Sequence, residues 1–275
     1  MSVTINTNFG ALVALQNLNA TNRQLEQVQN RISTGLKVAN AKDNGGAFAI
    51  AQKLRADVKS LDVVDQSLNR AQSLVDVSSA AGQAISDLLV DLKAKALAAT
   101  DASLDATSRT ALNEDFKALR DQIQTVVSNA SFNGVNLINN STNSVQALAN
   151  ADGTSSITVL DEALQLSGSI VTITTTEQIN TVTNAKNALT AVKASLTNVN
   201  SALARLGTKS KALKIQSDFL GKLSDALTGS IGNLVDANLA TESARLQSLQ
   251  VKQQLGVQAL SIANKAPQTI LGFFR

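Results

Sequence analysis

The chain has 275 residues, with 24 Lys and Arg against 21 Asp and Glu, and it contains no His, Cys, Trp or Tyr. Without imidazole or thiol groups it lacks the usual soft metal ligands and the His and Cys nucleophiles and bases, so we expect no enzyme, no metal site and no cofactor. Basic residues alternate with acidic ones, and no segment approaches the ~18–20 apolar residues that span a bilayer, so no nucleic-acid partner and no membrane insertion are expected.

A weakly amphipathic helix is predicted near the start of the chain, and the residues before it lack a basic segment followed by an apolar one. We therefore expect no cleaved signal peptide. Apolar residues recur at steps of three and four, interrupted by two polar positions, which is typical of a helix that needs a partner to be stable. This seam is Ala11, Leu15, Leu18, Asn22, Leu25, Gln29 and Ile32.

Two long regions carry a seven-residue spacing that predicts coiled-coil-like helices. The first contains Leu54, Leu61, Leu68, Val75, Gly82 and Leu89, with a parallel row from Ile50 to Leu92; the second contains Val192, Val199, Leu206, Leu213, Leu220, Leu227 and Leu234. A shorter helix on Leu112, Phe116, Leu119 and Ile123 follows a loop, 100–108, with N-cap residues. In the second region the companion row turns to Ser210, Ser217 and Ser224. One interpretation is that the neighbouring helix changes or ends there.

The length of the first region predicts the shape of the molecule. Residues 49–100 contain no Pro and one Gly, so they can form a helix of ~75 Å at ~1.5 Å per residue. A compact globule of this chain length is only ~50 Å across. We therefore predict a mainly α fold, an elongated rod of long antiparallel coiled-coil helices with paired N- and C-terminal helices.

The middle of the chain, residues 131–185, is rich in Ser, Thr and Asn and predicts a small β-hairpin region. The segments SITVL (156–160) and SIVTITTTEQI (169–179) are rich in β-branched residues, and ADGT (151–154) is a hairpin turn signal.

The last predicted helix has the seam Leu246, Leu249, Gln253, Gly256, Leu260 and Ala263, and Pro267 is expected to end it. Paired with the first helix, it still leaves apolar residues uncovered, and other copies of the chain could cover them. We therefore assign a subunit-interaction role to Ile5, Leu12, Leu15, Leu18, Leu25, Ile32, Leu246, Leu249, Leu255, Leu260, Ile262, Ile270, Leu271, Phe273 and Phe274.

Two signatures at opposite ends of the chain resemble those of the bacterial flagellins. RISTGLKVANAKDNGGAFAIA (31–51) matches at Arg31, Ser33, Gly35, Ala41, Lys42 and Asp43, and departs at Gly45, Gly46 and Ala47. The stretch 236–275 matches at Gln253, Gln254, Gly256, Asn264, Pro267, Gln268 and Arg275, with Phe273 and Phe274 where leucines are frequent. SFNGVNLI (131–138) is a third phrase of this family.

The resemblance implies a structural subunit that self-assembles into the flagellar filament for swimming. It implies an inner terminal domain of residues 1–44 and 236–275, an outer helical domain of 45–130 and 186–235, and a short variable surface region at 131–185. It also implies an extracellular filament, type III export, an export chaperone on the C-terminal segment, and hook-associated and cap proteins as partners.

Two other readings remain open from the sequence. A hook–filament junction protein of the same superfamily shares the terminal helices, although such proteins usually match the C-terminal signature less completely. A signalling coiled-coil domain belongs to a different class, and it lacks the 31–51 signature.

Overall fold

The computed structural model describes residues 7–271, with side chains described as far as residue 265. The elements in chain order are α1 (Phe9–Thr34), α2 (Gly45–Ala98), α3 (Ala106–Asn129), β1 (Ser144–Leu148), β2 (Ser156–Leu160), α4 (Val182–Val235) and α5 (Leu239–Leu271). The mainly α fold with a small hairpin is therefore confirmed. The chain forms two compact units, unit 1 (Met1–Ala56 and Ala226–Arg275) and unit 2 (Asp57–Asp225).

The ends of α1 follow ordinary capping chemistry. The Asn8 side chain accepts a hydrogen bond from the Ala11 amide at 3.1 Å, which satisfies a donor that has no partner inside the helix. Gly35 then takes a left-handed conformation with φ of 71°, which a residue with a Cβ adopts only with strain. The chain turns there, and Lys37 donates its amide to the Val235 carbonyl at 2.7 Å, so the end of α4 lies beside the end of α1 within unit 1.

Helix α5 continues past Pro267 to Leu271, so the prediction that this proline ends the helix is wrong. Proline removes one amide donor, but its fixed φ near −65° is helical. Inside a helix the missing donor and the clash of the ring with the carbonyl four residues earlier cost about 3 kcal/mol, and α5 continues despite this cost.

The long heptad rows form the core of unit 2. Buried members are Leu61, Leu68, Val75 and Leu89 on α2 and Val192, Val199, Leu206, Leu213 and Leu220 on α4. Farther along, the fully buried Phe116 and Ile123 bring α3 into the same core. Ile50 is an exception to the predicted row: it lies in unit 1 with 54% of its surface exposed.

The serines of α4 face α2 through hydrogen bonds, so our interpretation that the neighbouring helix ends there is wrong. Gln72 donates to Ser210 at 2.7 Å, and Ser217 donates to Asp65 at 2.6 Å. These serines occupy core positions because α2 supplies polar partners opposite them.

Helix α3 begins at a capping aspartate, as predicted. Asp105 accepts from the Ser108 amide at 2.6 Å, and this hydrogen bond lowers the pKa of the Asp105 carboxyl. The buried Arg109 then turns back to the end of α2, donating to the carbonyls of Ala99, Asp101 and Leu104. A guanidinium at this position satisfies carbonyls that a helix end leaves free.

The hairpin pairs β1 with β2 in antiparallel register, Ser144 opposite Leu160. SITVL is the second strand, and the predicted turn lies before it, with Gly153 at φ 68°. The first strand is 144–148, which the sequence did not predict. The other β-branched segment, 169–179, forms no strand, because Val171, Ile173 and Ile179 are buried in the helical core of unit 2.

A buried carboxyl lies where the hairpin ends. The Oδ1 atom of Asp161 is buried and has no hydrogen-bond partner in the described part of the chain. Burial raises the pKa of Asp161 to about 6, and the nearby charge of Glu162 adds to the rise. A hydrogen bond from the Asn140 backbone acts in the opposite direction and lowers the pKa. Glu162 itself is buried and paired with Arg205 at 2.7 and 2.5 Å.

Replacing Asp161 with Asn is expected to stabilise the protein above pH 6 and to have no effect near pH 4. The folded state holds this proton more tightly than the unfolded chain, whose Asp pKa is about 3.9, so stability falls as the pH rises from about 4 to about 6. We expect the Tm of the variant to be about 2–4 °C higher at pH 7.5, which corresponds to roughly 1 kcal/mol of added stability. This gain is smaller than the full pKa shift implies, because the carboxyl is partly exposed to solvent.

Thermal unfolding followed by circular dichroism at pH 4 and pH 7.5 measures this effect. The matched control is Asp152→Asn, which removes the same charge from an exposed position on the hairpin loop. An equal gain from both variants at pH 7.5 would show that net charge, and not burial of Asp161, is responsible.

Candidate subunit-interaction surface

Helices α1 and α5 pack against each other in antiparallel directions within unit 1. Asn8 Nδ2 donates to the Ala263 carbonyl at 2.7 Å, near the start of α1. Farther along, Gln253 Nε2 donates to Asn22 Oδ1 at 2.8 Å. The two helices therefore run past each other along most of the length of α1.

The two helices come close together at Gly256. A Cβ atom at this position would lie 3.3 Å from Leu18 Cδ1 and 4.0 Å from the Leu18 backbone. Glycine therefore sets how near α1 can come to α5. The predicted α5 seam is confirmed: Leu249 is buried, and the other five members are half-buried.

The α1 seam differs from its prediction at two positions. Val28 is buried with 3% of its surface exposed, while Gln29 is exposed. After Leu25 the inward-facing position is therefore three residues on, at Val28, and not four. Leu15 is the second exception, with 43% of its surface exposed.

An ion pair joins α1 to α5 at the other end of the helix pair. Arg31 Nη1 lies 3.0 Å from Glu242 Oε1, and both side chains are largely buried. Arg31 Nε and Glu242 Oε2 are also buried, and neither has a partner in the described part of the chain. A buried polar atom without a partner is costly, by about 1–3 kcal/mol, so this ion pair is less favourable than its short distance suggests.

The outer faces of both helices are apolar and exposed. On α1, Phe9 exposes 73% of its surface and Leu12 53%. On α5, Val251, Leu255 and Ile262 expose 55%, 60% and 66%. At 100° per residue these three α5 side chains fall within one narrow stripe. Apolar stripes this exposed mark an interaction surface.

The predicted interaction residues divide into three groups. Leu12, Leu15, Leu255 and Ile262 are exposed; Leu18, Leu25, Ile32, Leu246 and Leu260 are half-buried in the helix pair, and Leu249 is buried. Ile5, Phe273 and Phe274 lie outside the described residues, and for Ile270 and Leu271 only the backbone, in α5, is described. Sequence reasoning missed Phe9, Val13 and Val251, all exposed. The available signal was spacing: Phe9 lies three residues before Leu12, Val13 lies four after Phe9, and Val251 lies four before Leu255.

Several signature residues have local structural roles. Gly35 makes the left-handed turn after α1, and Asp43 Oδ2 accepts from the amides of Ala39 and Asn40 at 3.0 and 3.1 Å. Ser33, Ala41, Lys42, Gln254 and Asn264 are exposed. The side chains of Pro267 and Gln268, and Arg275 as a whole, lie outside the description.

Neither a metal-binding cluster nor a membrane-spanning helix accompanies these surfaces in the part of the chain described here. Among residues 7–271 there is no cluster of three or more His, Cys, Asp or Glu side chains arranged to hold a metal ion. Across the same residues, none of the helices has the length and apolar content needed to cross a membrane.

Long helices with paired end helices and uncovered apolar stripes define a class of protein: the subunit of a helical polymer. The N-terminal part, residues 5–143, matches the family model of the bacterial flagellin N-terminal helical region. Residues 189–274 match the model of the bacterial flagellin C-terminal helical region.

Whole-length relatives agree with the two family models. Flagellin FljM of Caulobacter vibrioides is 51% identical over 271 residues, with 98% of each chain covered. The flagellin of Brucella melitensis is 37% identical over 289 residues, again with 98% of each covered. The crystal structure of Bacillus cereus flagellin has a TM-score of 0.50 and 19% identity, covers 56% of this chain and 88% of that chain, and supports the fold.

The chain belongs to the bacterial flagellins. Its function is that of a structural subunit of the flagellar filament used for motility. The hook–filament junction protein and the signalling coiled coil are not favoured.

Proposed function

We propose that the exposed apolar faces of α1 and α5 are the surfaces through which one copy contacts its neighbours in the filament. The observation that carries this proposal is that each helix uses one face for its partner and leaves a second apolar face, including Leu12 and Leu255, uncovered. Covering a half-exposed aliphatic side chain contributes ~1 kcal/mol.

Each part of the chain takes a distinct role in this proposal. Residues 1–44 and 236–275 line the filament core, residues 45–130 and 186–235 build the layer around it, and residues 131–185 contribute to the outer surface. The pairing of α1 with α5 supports the first assignment. The core of α2, α3 and α4 side chains supports the second, because it needs no contribution from the terminal helices.

The remaining partners are proposed because the exposed apolar faces of α1 and α5 must be covered before the subunit joins the filament. The filament is extracellular, and its subunits reach the growing end through the flagellar type III export apparatus. Exposed side chains such as Leu255 and Ile262 are suited to an export chaperone that covers the C-terminal segment inside the cell. Hook-associated and cap proteins contact the first and last subunits through the same terminal helices.

A triple substitution of the α5 stripe tests the proposal. Val251, Leu255 and Ile262 are each replaced by Gln, which leaves the seam toward α1 untouched. The loss of roughly 1 kcal/mol at each position raises the critical concentration for polymerisation by about 100-fold. Sedimentation of seeded reactions and electron microscopy measure the change.

The matched control replaces Ser243, Gln250 and Ser261 with Ala, which are exposed positions of the same helix that lie roughly 100° around it from the stripe. This control is expected to polymerise like the parent protein. An unchanged critical concentration in the Val251, Leu255 and Ile262 variant would overturn the proposal.

A further inference from the structure

A mainly apolar cavity lies between the end of β2 and the middle of α4, within unit 2. Its volume is about 280 Å³, and Val159, Leu160, Ala204 and Leu206 supply the apolar part of its lining. Val159 and Leu206 are buried, whereas Leu160 exposes 60% of its surface, so the cavity has an apolar floor and is open to solvent. Sites for small ligands combine such a lining with a few placed polar groups.

One polar group of this cavity is the guanidinium of Arg205, which Glu162 holds in place. Arg205 Nε and Nη2 donate to the two carboxylate oxygens of Glu162 at 2.7 and 2.5 Å. Glu162 is buried, with 7% of its surface exposed, so the guanidinium is fixed by a group that the fold itself holds. The third nitrogen, Nη1, has no partner in the part of the chain that the structure describes. Its free N–H groups are suited to donate to a carboxylate.

The second polar group is the ammonium of Lys209, one helical turn after Arg205. Lys209 also lines the cavity and is half-buried, and among the described residues it takes part in no ion pair. Residues four apart lie on the same face of a helix, so the two basic side chains lie next to each other. Two cations and the carboxylate of Glu162 leave the lining with an excess of positive charge.

Within the described residues, no other carboxylate lines this cavity. Strands β1 and β2 contain no charged residue, and α4 contains no acidic residue between 182 and 217. Asp161 follows β2, but its carboxyl accepts a hydrogen bond from the Asn140 backbone. Asp152 precedes β2, in the loop at the far end of the hairpin. The charge of the lining therefore favours an anionic ligand.

We propose that this cavity binds an amphipathic carboxylate, such as the anion of a medium-chain fatty acid. The apolar chain packs against Val159, Ala204 and Leu206, and the carboxylate accepts hydrogen bonds from Arg205 Nη1 and Lys209 Nζ. Charge strengthens both hydrogen bonds, and burial of the chain removes apolar surface from water. The site uses residues of unit 2 alone, so the inference goes beyond the filament role and does not depend on it.

Titration of the full-length monomer with octanoate tests the proposal. For a ligand of about ten non-hydrogen atoms, saturable binding with a Kd of about 0.1–1 mM is expected. Isothermal titration calorimetry measures the affinity, and NMR chemical shifts of the amides of residues 159–162 and 204–209 locate the ligand. Octylammonium has the same chain and the opposite charge, and it is expected to bind at least about tenfold more weakly.

Two variants test the residues of the cavity. Lys209→Gln removes the unpaired cation and is expected to weaken octanoate binding about fivefold. Ala204→Leu keeps a good helix former and fills part of the cavity, which is expected to weaken binding at least about tenfold. The matched control is Lys211→Gln, an exposed lysine of the same helix that does not line the cavity, with an expected change below about twofold. Circular dichroism checks that each variant is folded.

The proposal is overturned if octanoate shows no saturable binding up to about 10 mM, or if octylammonium binds equally well. Shifts confined to residues 251–262 would also overturn it, because the ligand would then lie on the exposed apolar face of α5. Equal affinity of the parent protein and both cavity variants leads to the same conclusion. None of these results affects the terminal-helix proposal, which the polymerisation of the Val251, Leu255 and Ile262 variant tests separately.

Discussion

Removal of residues 270–275 is expected to abolish filament formation while leaving a folded monomer. The removed segment contains Phe273 and Phe274, two of only seven Phe in the chain. We propose that both phenylalanines are buried between subunits, where each contributes ~1.5–3 kcal/mol. Two such side chains per subunit correspond to a loss of more than about 100-fold in affinity, so no filaments should form at concentrations where the parent protein is fully polymerised.

Electron microscopy and sedimentation of seeded reactions measure the loss of filaments, and circular dichroism measures the fold. The helical core of unit 2 contains none of the removed residues, so the thermal unfolding of the truncated monomer should match that of the parent. Phe273→Ser with Phe274→Ser is the narrower variant, and it should reproduce most of the effect. Filaments of normal length from the truncated protein would exclude a contact role for this segment.

The second large effect is expected from Gly256→Leu, which should separate α1 from α5. Even a Cβ at this position lies 3.3 Å from Leu18 Cδ1, so the further atoms of leucine have no space between the helices. Overpacking costs typically 1–3 kcal/mol, while leucine gains about 1 kcal/mol of helix propensity over glycine. Because the pairing of two weakly amphipathic helices is marginal, the net loss is expected to prevent polymerisation.

Amide hydrogen exchange of α1 and α5 in the monomer, together with seeded polymerisation, measures this effect. Gly229→Leu is the matched control, because no atom lies within 4 Å of a Cβ placed there. Leu18→Ala combined with Gly256→Leu should recover part of the assembly, since it returns the lost space. If Gly256→Leu alone polymerises normally, the helices are not held together at this contact in the filament.

Helix positions were largely predictable from the sequence because periodicity is a property of each segment by itself. The seam of α5 and the buried row from Val192 to Leu220 follow directly from their spacing. The uncovered residues, such as Leu12 and Ile262, were also predictable, since they fall outside a seam that is too narrow to include them. The turn at Gly153 follows from local turn chemistry.

Features that depend on a distant partner were not predictable in this way. The sequence gives no indication that Ser210 and Ser217 face Gln72 and Asp65 across two helices. It also favours a strand at 169–179, because β-branched residues fit either a sheet or the side of a helical core. The sequence assigned Gly256 to the seam and to the family signature, but its close approach to Leu18 depends on how α1 lies against α5.

The amino-acid sequence by itself determined that this protein is built from long helices and that its end helices keep uncovered apolar residues. It also carries the two signatures that place the chain among the flagellins. Only the tertiary structure decided that Val28 in place of Gln29 faces inward, that α5 continues past Pro267, and that Ser210 and Ser217 lie opposite Gln72 and Asp65. The physical reason is that helical periodicity is encoded over neighbouring residues, whereas packing partners are selected by shape and charge across segments far apart in the chain.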